Sequence, residues 1–159
     1  MSEFRPPRSG EVAIDLPESF GPSLYVIGRI RTPWATLAEC PKYSRRRSDV
    51  LATIELDQRF EAGLKDISLL SHLIILYRLH LSRRDLILQA PSHVAEPRGV
   101  FALRSPVRPN PIGLSVVELV EAKGSHLKVR NLDCVDGTPV LDIKPYFATT
   151  DSFPDAKRP

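Results

Sequence analysis

Two stretches of the chain carry residue types that do chemistry at close spacing. The first runs from Gly99 to Ser115, where Arg104 and Arg108 bracket a segment stiffened by Pro106, Pro109 and Pro111. Proline fixes φ, so such a loop loses little entropy when it is held in one shape. Asn110, between two prolines, is placed to hydrogen-bond locally and hold the turn. The chemistry on offer is guanidinium forks and backbone carbonyls presented to a ligand in a fixed arrangement. A structural proline turn with surface arginines would read the same way. The second stretch, Asp133 to Tyr146, places Asp133, Asp136 and Asp142 near Lys144. Its Asp136-Gly137-Thr138-Pro139 segment offers backbone groups, a hydroxyl and a carboxylate at one tight turn. That set suits a ligand ammonium or sulfonium, and equally a plain hairpin turn.

Short strands must position both stretches. Leu24 to Arg31 alternates and stops at Thr32-Pro33, because the residue before proline is held extended and the proline lacks a donor. Val50 to Leu56 alternates again, His72 to Leu79 is apolar on both faces as a central strand would be, and Leu86 to Leu88 continues the sheet after a turn at Ser82 to Asp85. Leu64, Ile67 and Leu70 recur at helical spacing and predict a short helix over 60–70. Leu114 to Val120, then Leu127, Val129 and Asn131 after a Gly124-Ser125 turn, then Val140 to Ile143 after Asp136-Gly137, complete the strands. The expected fold is mainly β: an antiparallel β-barrel-like sheet of about seven short strands with one or two short helices. Residues 1–23, with Pro6, Pro7, Pro17 and Pro22, read as a flexible arm or a wrapping segment. Residues 24–159 read as one barrel domain with no additional C-terminal domain.

Composition agrees with this and removes several classes. The 159 residues include 15 prolines against 8 glycines, well above the roughly 5% proline of ordinary chains, which disfavours a helix bundle. Hydrophobic residues at 42% and charged residues at 26% are a globular composition. A net charge of +3 permits an anionic partner and is too mild to demonstrate one. Cys40 and Cys134 cannot make a disulfide framework or a cysteine-rich zinc site, and His72, His80, His93 and His126 are too dispersed for a metal site. Gly99, Gly113 and Gly137 match no phosphate-binding pattern, and no serine sits in a hydrolase elbow. No signal peptide is visible, and Leu69 to Leu81 is too short to span a bilayer. The expectation is a soluble cytoplasmic protein with no membrane and no metal.

Together the two stretches resemble the TsaA/TrmO-like (YaeB) family of S-adenosylmethionine-dependent tRNA methyltransferases. The resemblance covers Tyr25 to Asp155 and rests on Arg-Pro-Asn-Pro-Ile-Gly-Leu-Ser at 108–115 and Asp-Gly-Thr-Pro-Val-Leu-Asp-Ile-Lys-Pro-Tyr at 136–146. Weaker agreement comes from Ile27-Gly28 through Thr32-Pro33, Cys40-Pro41-Lys42 and Ser71-His72-Leu73. It implies a β-barrel that binds S-adenosyl-L-methionine through Pro41, Lys42 and Tyr43, through His80 and Leu81, through Arg104 and Leu114 on either side of the proline loop, and through Asp136, Gly137, Thr138 and Pro139. Arg108 and Asn110 then look like holders of the loop. The resemblance also implies a homodimer with sites near the subunit interface, and a tRNA acceptor methylated at N6 of the threonylcarbamoyl-adenosine beside the anticodon.

Methyl transfer from a sulfonium is an in-line displacement driven mainly by positioning, and no single base stands out. Asp136 and His80 are the catalytic candidates, each equally readable as structural, while an aromatic face at Tyr43 or Tyr146 would favour the positive sulfur. The family's usual arginine and glutamine are here Lys42 and Tyr43, which keeps the charge and loses the fork. This departure leaves two alternatives: an S-adenosylmethionine-binding module without turnover, and a methyltransferase with a small-molecule acceptor. Arg45 to Arg47, Arg83-Arg84 and Arg29 with Arg31 supply positive charge for RNA, or merely a solvated basic face.

Overall fold

The computed structural model describes residues 6–13, 24–41, 49–91 and 96–157. Among the described residues there are nine strands: β1 (Val12–Ala13), β2 (Gly28–Arg31), β3 (Leu51–Leu56), β4 (His72–Arg78), β5 (Leu86–Gln89), β6 (Arg98–Gly99), β7 (Ile112–Lys123), β8 (His126–Arg130) and β9 (Thr138–Pro145). The chain divides into two compact units. Residues 24–78 and 113–156 form one, and residues 79–112, with the described parts of 1–23 and residue 157, form the other.

The first unit is a closed barrel in the order β2-β3-β8-β7-β4-β9. Its strands alternate as a half-buried sheet must: β3 buries Ala52, Ile54 and Leu56, β4 buries Leu73, Ile75 and Tyr77, and β8 buries Leu127 and Val129. Each buried aliphatic side chain contributes about 1.5–3 kcal/mol relative to exposure. A one-residue slip of β4 would turn three core side chains outward, so register is fixed by packing. Two irregularities adjust it, between Leu76 and Tyr77 against β9 and between Leu119 and Glu121 against β8. Tyr77 thereby pairs with Val140, and both point inward. The mainly antiparallel barrel expected from the sequence is the fold observed.

The second unit holds a three-stranded antiparallel sheet, β1-β5-β6. Leu86 and Val100 are fully buried in it. Val12 and Ala13 pair with Leu88 and Leu86, and the Glu11 carboxylate accepts from the Ala90 amide at 3.4 Å.

Three sequence expectations need correction. Leu86 to Leu88 does form a strand, but in this separate sheet: in the barrel order β4 already has β7 and β9 on its two sides, so the strand that follows cannot join it. The helix expected over 60–70 is two 3-10 segments, Gln58–Leu64 and Ile67–Leu69. Asp66, at φ 65° between them, breaks any continuous helix. Finally, β2 begins only at Gly28, and Leu24 and Tyr25 stand exposed. Among the described residues, no helix is long and apolar enough to cross a membrane.

Candidate functional site

In the barrel unit, the Asp136–Pro139 turn lies where β9 begins, beside β2. Gly137 adopts φ +78°, a left-handed conformation that glycine takes without steric cost. The turn is pinned on both sides of its peptide chain: the Asp136 amide donates to the Trp34 carbonyl and the Gly137 amide to the Ile30 carbonyl, each at 2.8 Å. Thr138 and Pro139 are buried, and the Thr138 hydroxyl donates to the Val135 carbonyl. Pro139 is the second residue of its strand, at the strand end where proline's missing donor is tolerated.

The sequence motif did not reveal what holds the turn's polar groups. The Thr32 amide donates to Asp136 Oδ1 at 3.1 Å, and its hydroxyl donates to the Cys134 carbonyl at 2.9 Å. Arg29 Nη1 donates to the Gly137 carbonyl at 3.0 Å. Arg31 Nε donates to Glu55 Oε2 at 2.8 Å, while its Nη1 lies 3.6 Å from Asp136 Oδ2. The hydrogen bond that Arg31 donates to Glu55 raises the Arg31 pKa above its ordinary value, with the charges of Glu55 and Asp136 adding to it. Arg29 and Arg31, first read as charge for RNA or a solvated face, therefore ring the Asp-Gly turn. Their i, i+2 spacing on one strand face was the available signal.

Elsewhere in the barrel, Pro41 is half-buried and Leu114 lies on β7 with 45% exposure. Lys42, Tyr43 and Arg45 to Arg47 lie outside the described residues. Tyr146 is half-buried with its ring tilted against His72, the centroids 6.3 Å apart. Within the barrel, the Tyr77 and Ser115 hydroxyls are 3.0 Å apart.

In the second unit, His80 and Leu81 occupy an exposed turn closed by the Ser82 amide on the Leu79 carbonyl at 3.0 Å. Arg104 is exposed at the start of the proline loop. Arg108 Nη1 donates to the Leu103 and Ser105 carbonyls, both at 3.1 Å, which makes it the loop holder its position suggested. Asn110 holds the loop through its own carbonyl, which accepts from the Ile112 amide at 2.8 Å. Arg83 is buried and makes a two-pronged contact with Asp85, Nε to Oδ1 at 2.8 Å and Nη2 to Oδ2 at 2.7 Å. Arg84 Nε donates to the Pro109 carbonyl at 2.7 Å. The Arg83-Arg84 pair thus serves the loops of its own unit.

Residues 29–152 match the tRNA-methyltransferase O N-terminal domain. The chain belongs to this family. It is the family expected from the strings at 108–115 and 136–146. VirR of Rhizobium radiobacter, a probable S-adenosyl-L-methionine-binding protein, is 46% identical over 138 residues, covering 87% of this chain and 78% of that protein. A probable S-adenosyl-L-methionine-binding protein of Archaeoglobus fulgidus is 50% identical over 131 residues, 82% of this chain and 36% of that one. The tRNA (adenine(37)-N6)-methyltransferase of Escherichia coli K12 is 38% identical over 140 residues, 82% of this chain and 60% of the enzyme. A crystal structure of TrmO from Pseudomonas aeruginosa superposes with a TM-score of 0.73 at 33% identity, over 87% of this chain and 62% of TrmO. This member of the tRNA-methyltransferase O family therefore spans less than two thirds of several of its relatives.

Proposed function

We propose that the chain is an S-adenosyl-L-methionine-dependent methyltransferase acting on tRNA at N6 of an adenine beside the anticodon, with threonylcarbamoyl-adenosine as the acceptor. The match of residues 29–152 to the tRNA-methyltransferase O N-terminal domain carries this reading, and the Escherichia coli relative, a tRNA (adenine(37)-N6)-methyltransferase, supports it. A cytoplasmic location follows from such a substrate.

The side chains present fit the cofactor chemically. The barrel supplies the Asp136 carboxylate for an ammonium or ribose hydroxyl, the buried Thr138 and Pro139 beneath it, half-buried Pro41, and an apolar surface at Leu114. In the other unit, considered by itself, Arg104 is exposed and His80 and Leu81 lie on an exposed turn, and these residues are carried over from the family resemblance. Lys42 and Tyr43 complete the proposed set. When bound, the cofactor supplies an electrophilic methyl group on a sulfonium. The protein's part is to orient donor and acceptor and to keep water away. Asp136 and His80 are the candidates for taking a proton from the attacked amine. A homodimer is supported by the outer face of β7, where Leu114 and Val116 are exposed as an apolar pair that a second copy would cover. Because Leu114 is both in this pair and in the cofactor set, dimer and cofactor site would adjoin.

Calorimetric titration with S-adenosyl-L-methionine, run beside transfer of labelled methyl to tRNA lacking that methyl, tests the proposal. Asp136→Ala and Arg104→Ala should each weaken cofactor binding by about tenfold or more, since a lost hydrogen bond to a charged group costs roughly 1.5–3 kcal/mol. Wild-type affinity in both variants would show these residues to be misassigned. Cofactor binding without transfer to any tRNA would favour a second reading, a binding module without turnover or an enzyme with a small-molecule acceptor. That reading draws on the relatives described only as probable S-adenosyl-L-methionine-binding proteins, which are 46% and 50% identical to this chain.

A further inference from the structure

The proline loop is short of backbone donors. Pro106, Pro109 and Pro111 remove three backbone donors, so the carbonyls there must find donors from elsewhere or from water. Inside the loop, Arg108 meets the Leu103 and Ser105 carbonyls, and the Val107 amide donates to Ser105 Oγ at 3.2 Å. From outside it, two donors arrive from the segment carrying His80 and Leu81. The Leu79 amide donates to the Pro111 carbonyl at 2.7 Å, and Arg84 Nε donates to the Pro109 carbonyl at 2.7 Å, with Nη2 reaching Asn110 Oδ1 at 3.5 Å. Leu79 and Arg84 stand on either side of the His80–Leu81 turn, so the turn is held to the loop at both of its ends. Arg84 also starts from a fixed backbone, because the buried fork of Arg83 on Asp85 sets residues 83–85.

We propose that Arg84 is a positioning residue: its guanidinium ties the His80–Leu81 turn to the 105–111 proline loop, and through that tie it sets the affinity for the cofactor. The inference deepens the cofactor reading above and rests on it. It also assigns one arginine of a basic pair to the protein's own loop and not to an RNA phosphate. Lysine cannot replace it fully, since an ammonium reaches one carbonyl as a point charge, whereas the guanidinium addresses two acceptors in a plane.

The test uses the full chain with Arg84→Ala and Arg84→Lys, read by three measurements. Amide hydrogen exchange at Leu79, whose amide donates to the Pro111 carbonyl, reports how firmly the turn and the loop are held together and needs no ligand. It should accelerate by about tenfold or more in Arg84→Ala, with Arg84→Lys between it and wild type. The Kd and KM for S-adenosyl-L-methionine should rise about tenfold in Arg84→Ala and less in Arg84→Lys. At saturating cofactor, kcat should fall by less than KM rises, a split that general unfolding would not produce. The salt slope of tRNA binding should not change.

Accelerated exchange with unchanged cofactor affinity would overturn the positioning role. A salt slope lower by about one, with unchanged cofactor affinity, would make Arg84 a phosphate contact instead. Unaccelerated exchange would overturn the tie itself. A wild-type chain that binds no cofactor would overturn the parent reading and the cofactor half of this one, while the exchange result would still decide the tie.

Discussion

Gly113 shows how a motif residue can be recognised before its reason is known. It sits inside the Arg-Pro-Asn-Pro-Ile-Gly-Leu-Ser string, but no local rule requires glycine there, since its φ is not positive. The requirement comes from Tyr77 on the neighbouring strand: a Cβ at position 113 would overlap the Tyr77 ring, which is buried and hydrogen-bonded to Ser115. Gly113→Ala should therefore destabilise the protein by about 1–3 kcal/mol through overpacking, measured as a lower urea midpoint at unchanged m-value. Wild-type stability would mean that the ring moves aside at no cost. Asp136 gives the same lesson in reverse. As the head of an Asp-Gly turn it was legible, but Thr32, Arg29 and Arg31, which fix that turn, lie about a hundred positions away in the chain. Contacts at that separation leave no periodicity to read.

The strands themselves were legible wherever one face is buried. The alternation in Leu51–Leu56 and His126–Arg130 is the barrel's inside and outside written in residue types. Which sheet a strand joins was not legible: Leu86–Gln89 looks like any strand, and only the occupied neighbours of β4 send it elsewhere. The turn before it depends on one ion pair. The hydrogen bond from Arg83 holds the Asp85 carboxyl below its ordinary value. The stabilisation this confers is present above the unfolded carboxyl's pKa of about 4 and is lost as pH falls through the depressed folded value. Asp85→Asn should cost about 2–3 kcal/mol at neutral pH and flatten the acid limb of a stability-versus-pH curve. An unchanged acid limb would assign that limb to other carboxylates.

For the whole molecule, the proline excess turned out to describe a division of labour. Residues 79–112 contain Pro91, Pro97, Pro106, Pro109 and Pro111, whereas the barrel strands contain only Pro139 and Pro145, near the two ends of β9. Net charge was as uninformative as its size suggested, because several of the arginines behind it are spent on internal ties. One titration should govern stability at high pH. Burial pushes the Cys134 thiol up to about 12, with the charge of Asp133 adding to the shift. The unfolded chain releases that proton near the ordinary thiol value of about 8.5, so stability is full below that pH and falls as pH rises toward the folded value. Unfolding free energy should therefore decline between about pH 9 and 11, and Cys134→Val should remove part of that slope. An identical slope in the variant would place the alkaline loss elsewhere.

The chain leaves the barrel at Arg78 and re-enters it at Gly113, and β4 and β7, the strands on either side of that excursion, are neighbours in the barrel. The excursion is therefore a cassette spliced between adjacent staves. Closing the barrel pays only the logarithmic cost of a loop, about 0.6 kcal/mol for each doubling of its length. Such a cassette can be lengthened, shortened or rewritten at little expense to strand register, so the excursion can vary while the barrel stays the same.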